Sequence, residues 1–110
     1  MDERVLQFLW KKLGDRPQSC PDGPDLEVGA CTVEVKACSE YVKDKHAKYR
    51  TRRKGRFHLH GYEHADYLLF VLVCESGLEF RLLRFSTIKR KFKIQGRTSI
   101  NWTRLFKRRK

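Results

Sequence analysis

The sequence predicts a single α/β domain in which a mixed β-sheet is flanked by helices. Three observations carry that expectation: an amphipathic stretch at the N-terminus, a pair of alternating segments about Gly29-Ala30, and the uninterrupted apolar run Tyr67 to Cys74. At 110 residues the sequence is one domain long, so a single module is expected and not an enzyme built from separate substrate and cofactor domains. Its 40% hydrophobic content is enough to build a core although 35% of the residues are charged.

Between Asp2 and Leu13 the residues Val5, Leu6, Phe8, Leu9 and Leu13 recur at helical spacing, and Gly14 is a suitable stop. Residues 15–24 hold every proline of the chain and read as a loop. Asp25 to Val28 and Cys31 to Ala37 alternate polar with apolar, so they predict a hairpin closed by Gly29-Ala30. With that loop Val28 faces Cys31, Glu27 faces Thr32 and Asp25 faces Glu34. One face then carries Leu26, Val28, Cys31, Val33, Val35 and Ala37, and the other carries Asp25, Glu27, Thr32, Glu34 and Lys36.

Residues 38–65 are polar and basic. Ser39 suits the cap of a short helix through Tyr41 and Val42, Lys54-Gly55-Arg56 reads as a loop, and a further short helix fits Tyr62 to Ala65. Tyr67 to Cys74 is apolar at every position, as in a strand buried on both faces, and Ser76-Gly77 turns it into a partner strand, Leu78 to Phe85. Within Ile88 to Lys110, Thr98-Ser99 followed by Ile100, Arg104 and Leu105 suggests a final helix. The domain core is expected over about residues 1–85, with 86–110 as a basic C-terminal extension.

The charge is unevenly distributed. Residues 1–37 hold seven carboxylates and five cations, whereas 38–110 hold six carboxylates and twenty cations, out of 25 Lys and Arg against 13 Asp and Glu in all. A field of this sign attracts polyanions, of which nucleic acid is the commonest in a cell. The run of eight apolar residues is too short to span a bilayer as a helix, which takes roughly 20. The N-terminus lacks the pattern of a secretory signal, so an intracellular protein is expected. Cys20, Cys31, Cys38 and Cys74 show no CxxC spacing and read as reduced, mostly buried thiols.

The chemistry concentrates in the hairpin. Two carboxylates about 5 Å apart on neighbouring strands repel unless a cation lies between them, and hard oxygen ligands favour Mg²⁺ or Mn²⁺. Such an ion polarises a phosphate oxygen and acidifies bound water. Lys36 shares the face of Glu34, where its ammonium can orient water or neutralise charge on a phosphate, and the Val35 carbonyl is a further available ligand.

Pro24-Asp25, eight intervening residues and Glu34-Val35-Lys36 resemble the PD-(D/E)xK signature of the restriction-endonuclease-like nuclease superfamily. The order of an N-terminal helix, a motif-bearing hairpin and a buried strand with another beyond it is similar to that superfamily's core, and the size is similar to small archaeal or phage nucleases and Holliday-junction resolvases. The resemblance covers about residues 1–85. It implies that Asp25 and Glu34 ligate the metal and that Lys36 is the catalytic lysine of phosphodiester hydrolysis, with Glu3 as the candidate for an extra acidic ligand from the first helix. The helix that such proteins carry between the hairpin and the next strand is here largely replaced by the basic stretch 43–56.

The same residues also suit a hairpin with a merely solvated polar face, and a longer loop makes Asp22, after Pro21, the alternative partner of Glu34. Phosphate contacts are expected at Lys48, Arg50, Arg52, Arg53, Lys54 and Arg56, at Lys89, Arg90, Lys91 and Lys93, and in the tail Lys107 to Lys110. Tyr49, Phe57, Phe92 and Trp102 are candidates for base stacking, with core packing as the alternative for Phe92 and Trp102. His58, His60 and His64 read either as phosphate or proton-transfer groups or as ordinary surface and packing histidines. The expected activity is a divalent-metal-dependent DNA endonuclease acting on double-stranded or branched DNA, and a homodimer with two sites suits so small a chain. A noncatalytic nucleic-acid-binding module with the same fold, and an accessory protein that docks on an acidic partner, are the alternatives.

Overall fold

Helix α1 (Glu3–Leu13) forms where the apolar spacing places it, with Val5 and Leu9 buried. The Asp2 carboxylate accepts a hydrogen bond from the Arg4 backbone N–H at 2.8 Å and pairs with the Arg4 guanidinium at 2.8 Å, which holds Asp2 below the ordinary carboxylate range. Gly14, in the left-handed region, donates its N–H to the Trp10 carbonyl and ends the helix. The computed structural model describes residues 1–21, 23–43, 52–60 and 64–107, with backbone alone at 43 and 52.

Beyond α1 come β1 (Pro17–Ser19), β2 (Leu26–Val28), β3 (Cys31–Ser39), β4 (Tyr41–Lys43), β5 (Arg52–Lys54), β6 (Arg56–Leu59), β7 (Tyr67–Cys74) and β8 (Gly77–Arg84). Helix α2 (Phe85–Phe92), β9 (Thr98–Asn101) and a 3₁₀ turn (Trp102–Arg104) complete the described order. A five-stranded mixed sheet runs β1-β2-β3-β7-β8, antiparallel throughout except for the parallel pair β3 and β7. Parallel strands need a crossover, and among the described residues this one carries β4, β5 and β6. β4 pairs with β5, and β6 reaches far along the chain to pair with β9.

The all-apolar β7 is explained by two cores, one on each face of the sheet. Leu69 and Val71 join Leu26, Val28 and Val33 beneath Val5 and Leu9 of α1. Leu68, Phe70 and Leu72 face the opposite way, toward Phe57 and Leu59 of β6, Ile88 of α2, Ile100 of β9 and Trp102. Phe57 meets Phe70 edge-on, with centroids 5.0 Å apart. Gly55 permits the close crossing that positions β6: a Cβ there would collide with the Ser39 carbonyl oxygen. The Gly55 N–H donates to the Glu40 carbonyl, whose oxygen also accepts from the Trp102 indole at 2.7 Å.

Several local expectations change. The proline-rich loop contains the short strand β1, which pairs with β2. The helix expected after Ser39 is β4, because Tyr41 and Val42 have strand partners in Lys54 and Arg53. The Lys54-Gly55-Arg56 loop is the junction between β5 and β6. The final helix expected from Thr98 is β9 followed by the 3₁₀ turn, since Phe57 and Leu59 offer a strand partner there. Of the short helix expected over Tyr62 to Ala65, residues 62 and 63 lie outside the described residues, and His64 and Ala65 are not helical. Ile88, Ile94, Ile100, Trp102 and Leu105 are buried, so the segment after residue 85 is built into the core. Among the described residues no helix is long and apolar enough to cross a membrane.

Candidate functional site

The hairpin pairs in the expected register, Val28 with Cys31 and Glu27 with Thr32, and the ladder ends at Leu26 with Val33. Asp25 and Glu34 therefore stand one step beyond the last rung. Where the next backbone bond would fall, the Asp25 carboxylate accepts a hydrogen bond from the Val35 N–H at 2.8 Å. The Asp25 carbonyl meanwhile accepts from the Cys20 N–H at 3.3 Å, tying the residue toward β1. Asp25 is thus held from both sides, against the peptide unit that joins Glu34 to Val35.

Along the parallel ladder Glu34 lies beside Leu68 and Lys36 beside Phe70. Residues paired across a ladder share a face, so Glu34 and Lys36 lie on the side of the sheet that β6 and β9 cover. Both are half-buried, whereas Asp25 is exposed at the rim. β3 thus carries Glu34, Val35 and Lys36 in succession, with the Asp25 carboxylate bonded to the middle one through its N–H.

Glu3 does not share that position. It is exposed in the first turn of α1, which packs on the opposite face of the sheet, and its carboxylate accepts from the Gln7 amide at 3.1 Å. Among the described residues no three His, Cys, Asp or Glu side chains converge as a ready metal cage. Asp22, the alternative partner of Glu34, lies outside the described residues.

Asp66 is a structurally important acid that sequence reasoning passed over. Its carboxylate accepts from the Thr32 N–H at 2.8 Å and from the Thr32 hydroxyl at 3.2 Å, while its own N–H donates to the Thr32 carbonyl at 3.1 Å. It locks the start of β7 against the start of β3 and so sets the level at which Glu34 sits. Its position immediately before the apolar run was the available signal.

The basic residues divide by place. Arg53, Lys54 and Arg56 are exposed around β5 and β6. Lys48, Arg50 and residues 108–110 lie outside the described residues, and only the backbone of Arg52 is described. Lys89, Arg90 and Lys91 are exposed in the last turn of α2, where cations also meet the carbonyl end of the helix, and Lys93 follows in the left-handed region. Phe57 and Trp102 are core side chains and so are not base-stacking platforms. Phe92 is half-buried under the Arg104 guanidinium, 4.6 Å from its centroid, and Tyr49 is outside the described residues.

Of the histidines, His58 is exposed on β6 with Nδ1 2.9 Å from the Ser99 hydroxyl, His60 is half-buried and His64 exposed. All four cysteines are free, half-buried thiols. Burial pushes the Cys38 thiol up to about 11, so it is a neutral side chain beside the basic residues and not a thiolate ligand. No family model, curated protein or solved structure matches the chain.

Proposed function

We propose that the chain is a divalent-metal-dependent endonuclease that hydrolyses DNA phosphodiester bonds, selective for junction or flap structures. The observation that supports this most is the hydrogen bond from the Val35 N–H to Asp25, which keeps one carboxylate against the peptide adjoining Glu34, with Lys36 two residues further on the same face as Glu34. Two carboxylates and a carbonyl suit Mg²⁺ or Mn²⁺, which take oxygen ligands and retain several waters, better than they suit zinc. When bound, such an ion polarises a phosphate oxygen and makes water a better nucleophile. Asp25, Glu34 and the Val35 carbonyl would hold it. The Lys36 ammonium neutralises charge that grows on the phosphate oxygens during in-line attack. Arg53, Lys54, Arg56 and the cations of α2 supply sequence-independent attraction for the DNA backbone, and a homodimer would present two such sites.

The test is incubation with supercoiled plasmid, a four-way junction and a flap, in Mg²⁺, Mn²⁺ or EDTA. Metal-dependent cleavage that disappears in Asp25→Asn and Glu34→Gln is the expected result. Cleavage that survives both substitutions would sink the assignment of the site. A noncatalytic DNA-binding module is the second reading, favoured by the lack of three converging metal-ligating side chains among the described residues. Salt-dependent binding with no cleavage of any substrate would establish it.

A further inference from the structure

The surface around β6 is hollowed into three adjoining cavities. The first, of ≈ 480 Å³, is walled by Tyr41, Lys54, Phe106 and Lys107 over Trp102. The second, of ≈ 280 Å³, has Cys38, Arg53, Lys54, Arg56 and His58 in its walls. The third, of ≈ 370 Å³, is bounded by His58, His60, Arg97 and Ser99. Lys54 lines both of the first two and His58 both of the last two, so the cavities lie in a row that forms a segmented trough. Its middle section starts at Cys38, two residues beyond Lys36 on the same face of β3.

The lining has one sign. Arg53, Lys54, Arg56, Arg97 and Lys107 all contribute, and among the described residues no Asp or Glu lines any of the three cavities. One end also presents an aromatic ring to solvent, for Tyr41 is 48% exposed. His58, oriented by Ser99, forms the ridge between the second and third cavities.

We infer that this trough binds a single strand of DNA, with phosphates on Lys54, Arg56 and Arg97 and an unpaired base stacked on Tyr41. A cationic groove that ends on an exposed ring is the arrangement by which single strands are held without sequence preference. A duplex keeps its bases stacked inside and offers Tyr41 no free face. The cavities, of ≈ 280 to ≈ 480 Å³, are near the scale of a small-molecule pocket, roughly 300–1,000 Å³, which suits a single nucleotide. The inference rests on the nuclease reading only for the identity of the strand as substrate, since binding itself needs neither Asp25 nor Glu34.

The test is fluorescence anisotropy with the full chain in EDTA, using labelled oligo-dT and a duplex of equal length. Oligo-dT is expected to bind more tightly than the duplex. Tyr41→Ala should weaken oligo-dT binding by about tenfold and Tyr41→Phe should restore it, because stacking uses the ring. Arg97→Ala should weaken binding and lower the slope of log K against log salt by about 0.7, the share of one phosphate contact on a single strand. Lys11→Ala, an exposed position on the helix that packs on the opposite face of the sheet, is the charge-matched control. Equal or tighter binding of the duplex would overturn the inference, as would losses in Tyr41→Ala and Arg97→Ala no larger than in Lys11→Ala. Cleavage in Mg²⁺ is scored separately: its absence with oligo-dT preference intact removes the nuclease reading and leaves the trough, and cleavage without that preference does the reverse.

Discussion

The Asp25 carboxylate takes the place of a backbone acceptor for the Val35 N–H, at 2.8 Å, where the β2–β3 ladder stops. One side chain therefore both ends the sheet pairing and stands next to Glu34. These two roles separate by mutation. Asp25→Asn keeps a carbonyl oxygen for the N–H but loses the charge, whereas Asp25→Ala loses both. Urea unfolding should give Asp25→Asn near wild-type stability and Asp25→Ala a loss of about 1–3 kcal/mol. Both should lose more cleavage than the roughly 10–100-fold typical of a residue that only supports a metal ligand.

Lys36 lies beside Phe70 in the parallel ladder, so its stem is fixed by the sheet and its ammonium is delivered to the face of Glu34. Its role in the proposed reaction is to neutralise charge that develops on phosphate. Lys36→Met keeps the stem and should lower the cleavage rate by about 10²–10³-fold, the scale of a lost preorganised donor. Metal-free DNA affinity should change by no more than one phosphate contact. An unaltered rate in Lys36→Met would remove it from the mechanism.

Neutralising Arg53, Lys54 and Arg56 together addresses the expected polyanion surface. These three exposed cations should account for a fall of about 2 in the slope of log K against log salt for oligo-dT, at about 0.7 per phosphate. A slope unchanged by the triple substitution would transfer the binding surface to the cations of α2.

Asp66 is expected to matter through stability alone. Its carboxylate accepts two hydrogen bonds from Thr32 and thereby joins the starts of the parallel strands β3 and β7. Asp66→Ala should lower stability by about 1–3 kcal/mol, measured by denaturant midpoint. Asp66→Asn, which keeps one acceptor, should recover part of that loss.

Legibility in the sequence followed the range of the interactions. The α1 periodicity and the β2–β3 register are local, and the β7 run is apolar because both faces of one strand are buried, so these elements could be read directly. β9 could not, because its strand character comes from Phe57 pairing with Ile100 and Leu59 with Thr98, some forty residues apart in the chain. Local spacing of Ile100, Arg104 and Leu105 favoured a helix, and tertiary pairing overrode it. α2 carries Phe85, Ile88 and Phe92 at helical spacing, but the chain enters it straight from β8 with Arg84 as an N-cap that makes no side-chain bond, so no start signal marked it. At the site, the hairpin register up to Leu26 and Val33 was legible, but Asp25 and Glu34 do not form the expected rung, because the Asp25 carboxylate takes the Val35 N–H instead. The trough was hidden for the reason β9 was: its lining comes from β3, β4, β5, β6 and the segment around β9, which become neighbours only through tertiary pairing and the close approach at Gly55.

Cys38 links this trough to stability at alkaline pH. Burial raises its thiol from 9.0 to about 11, so between those values the folded chain keeps a proton that the unfolded chain releases. The unfolded state then binds fewer protons, and stability falls as pH rises through that window. At neutral pH both states hold the proton, and no negative charge enters the cavity lined by Arg53, Lys54 and Arg56. Lysines and tyrosines titrate in the same range, so the readout is the difference between wild type and Cys38→Ala. Their unfolding midpoints should run parallel from pH 7 to 8.5 and converge toward pH 11, where wild type loses the advantage of a neutral buried thiol. Alkylation by iodoacetamide, followed by mass spectrometry of the Cys38 peptide, should likewise accelerate only as pH approaches 11. Midpoints that stay parallel up to pH 11, or fast alkylation of folded Cys38 at pH 8, would show that the thiol is not held neutral by its surroundings.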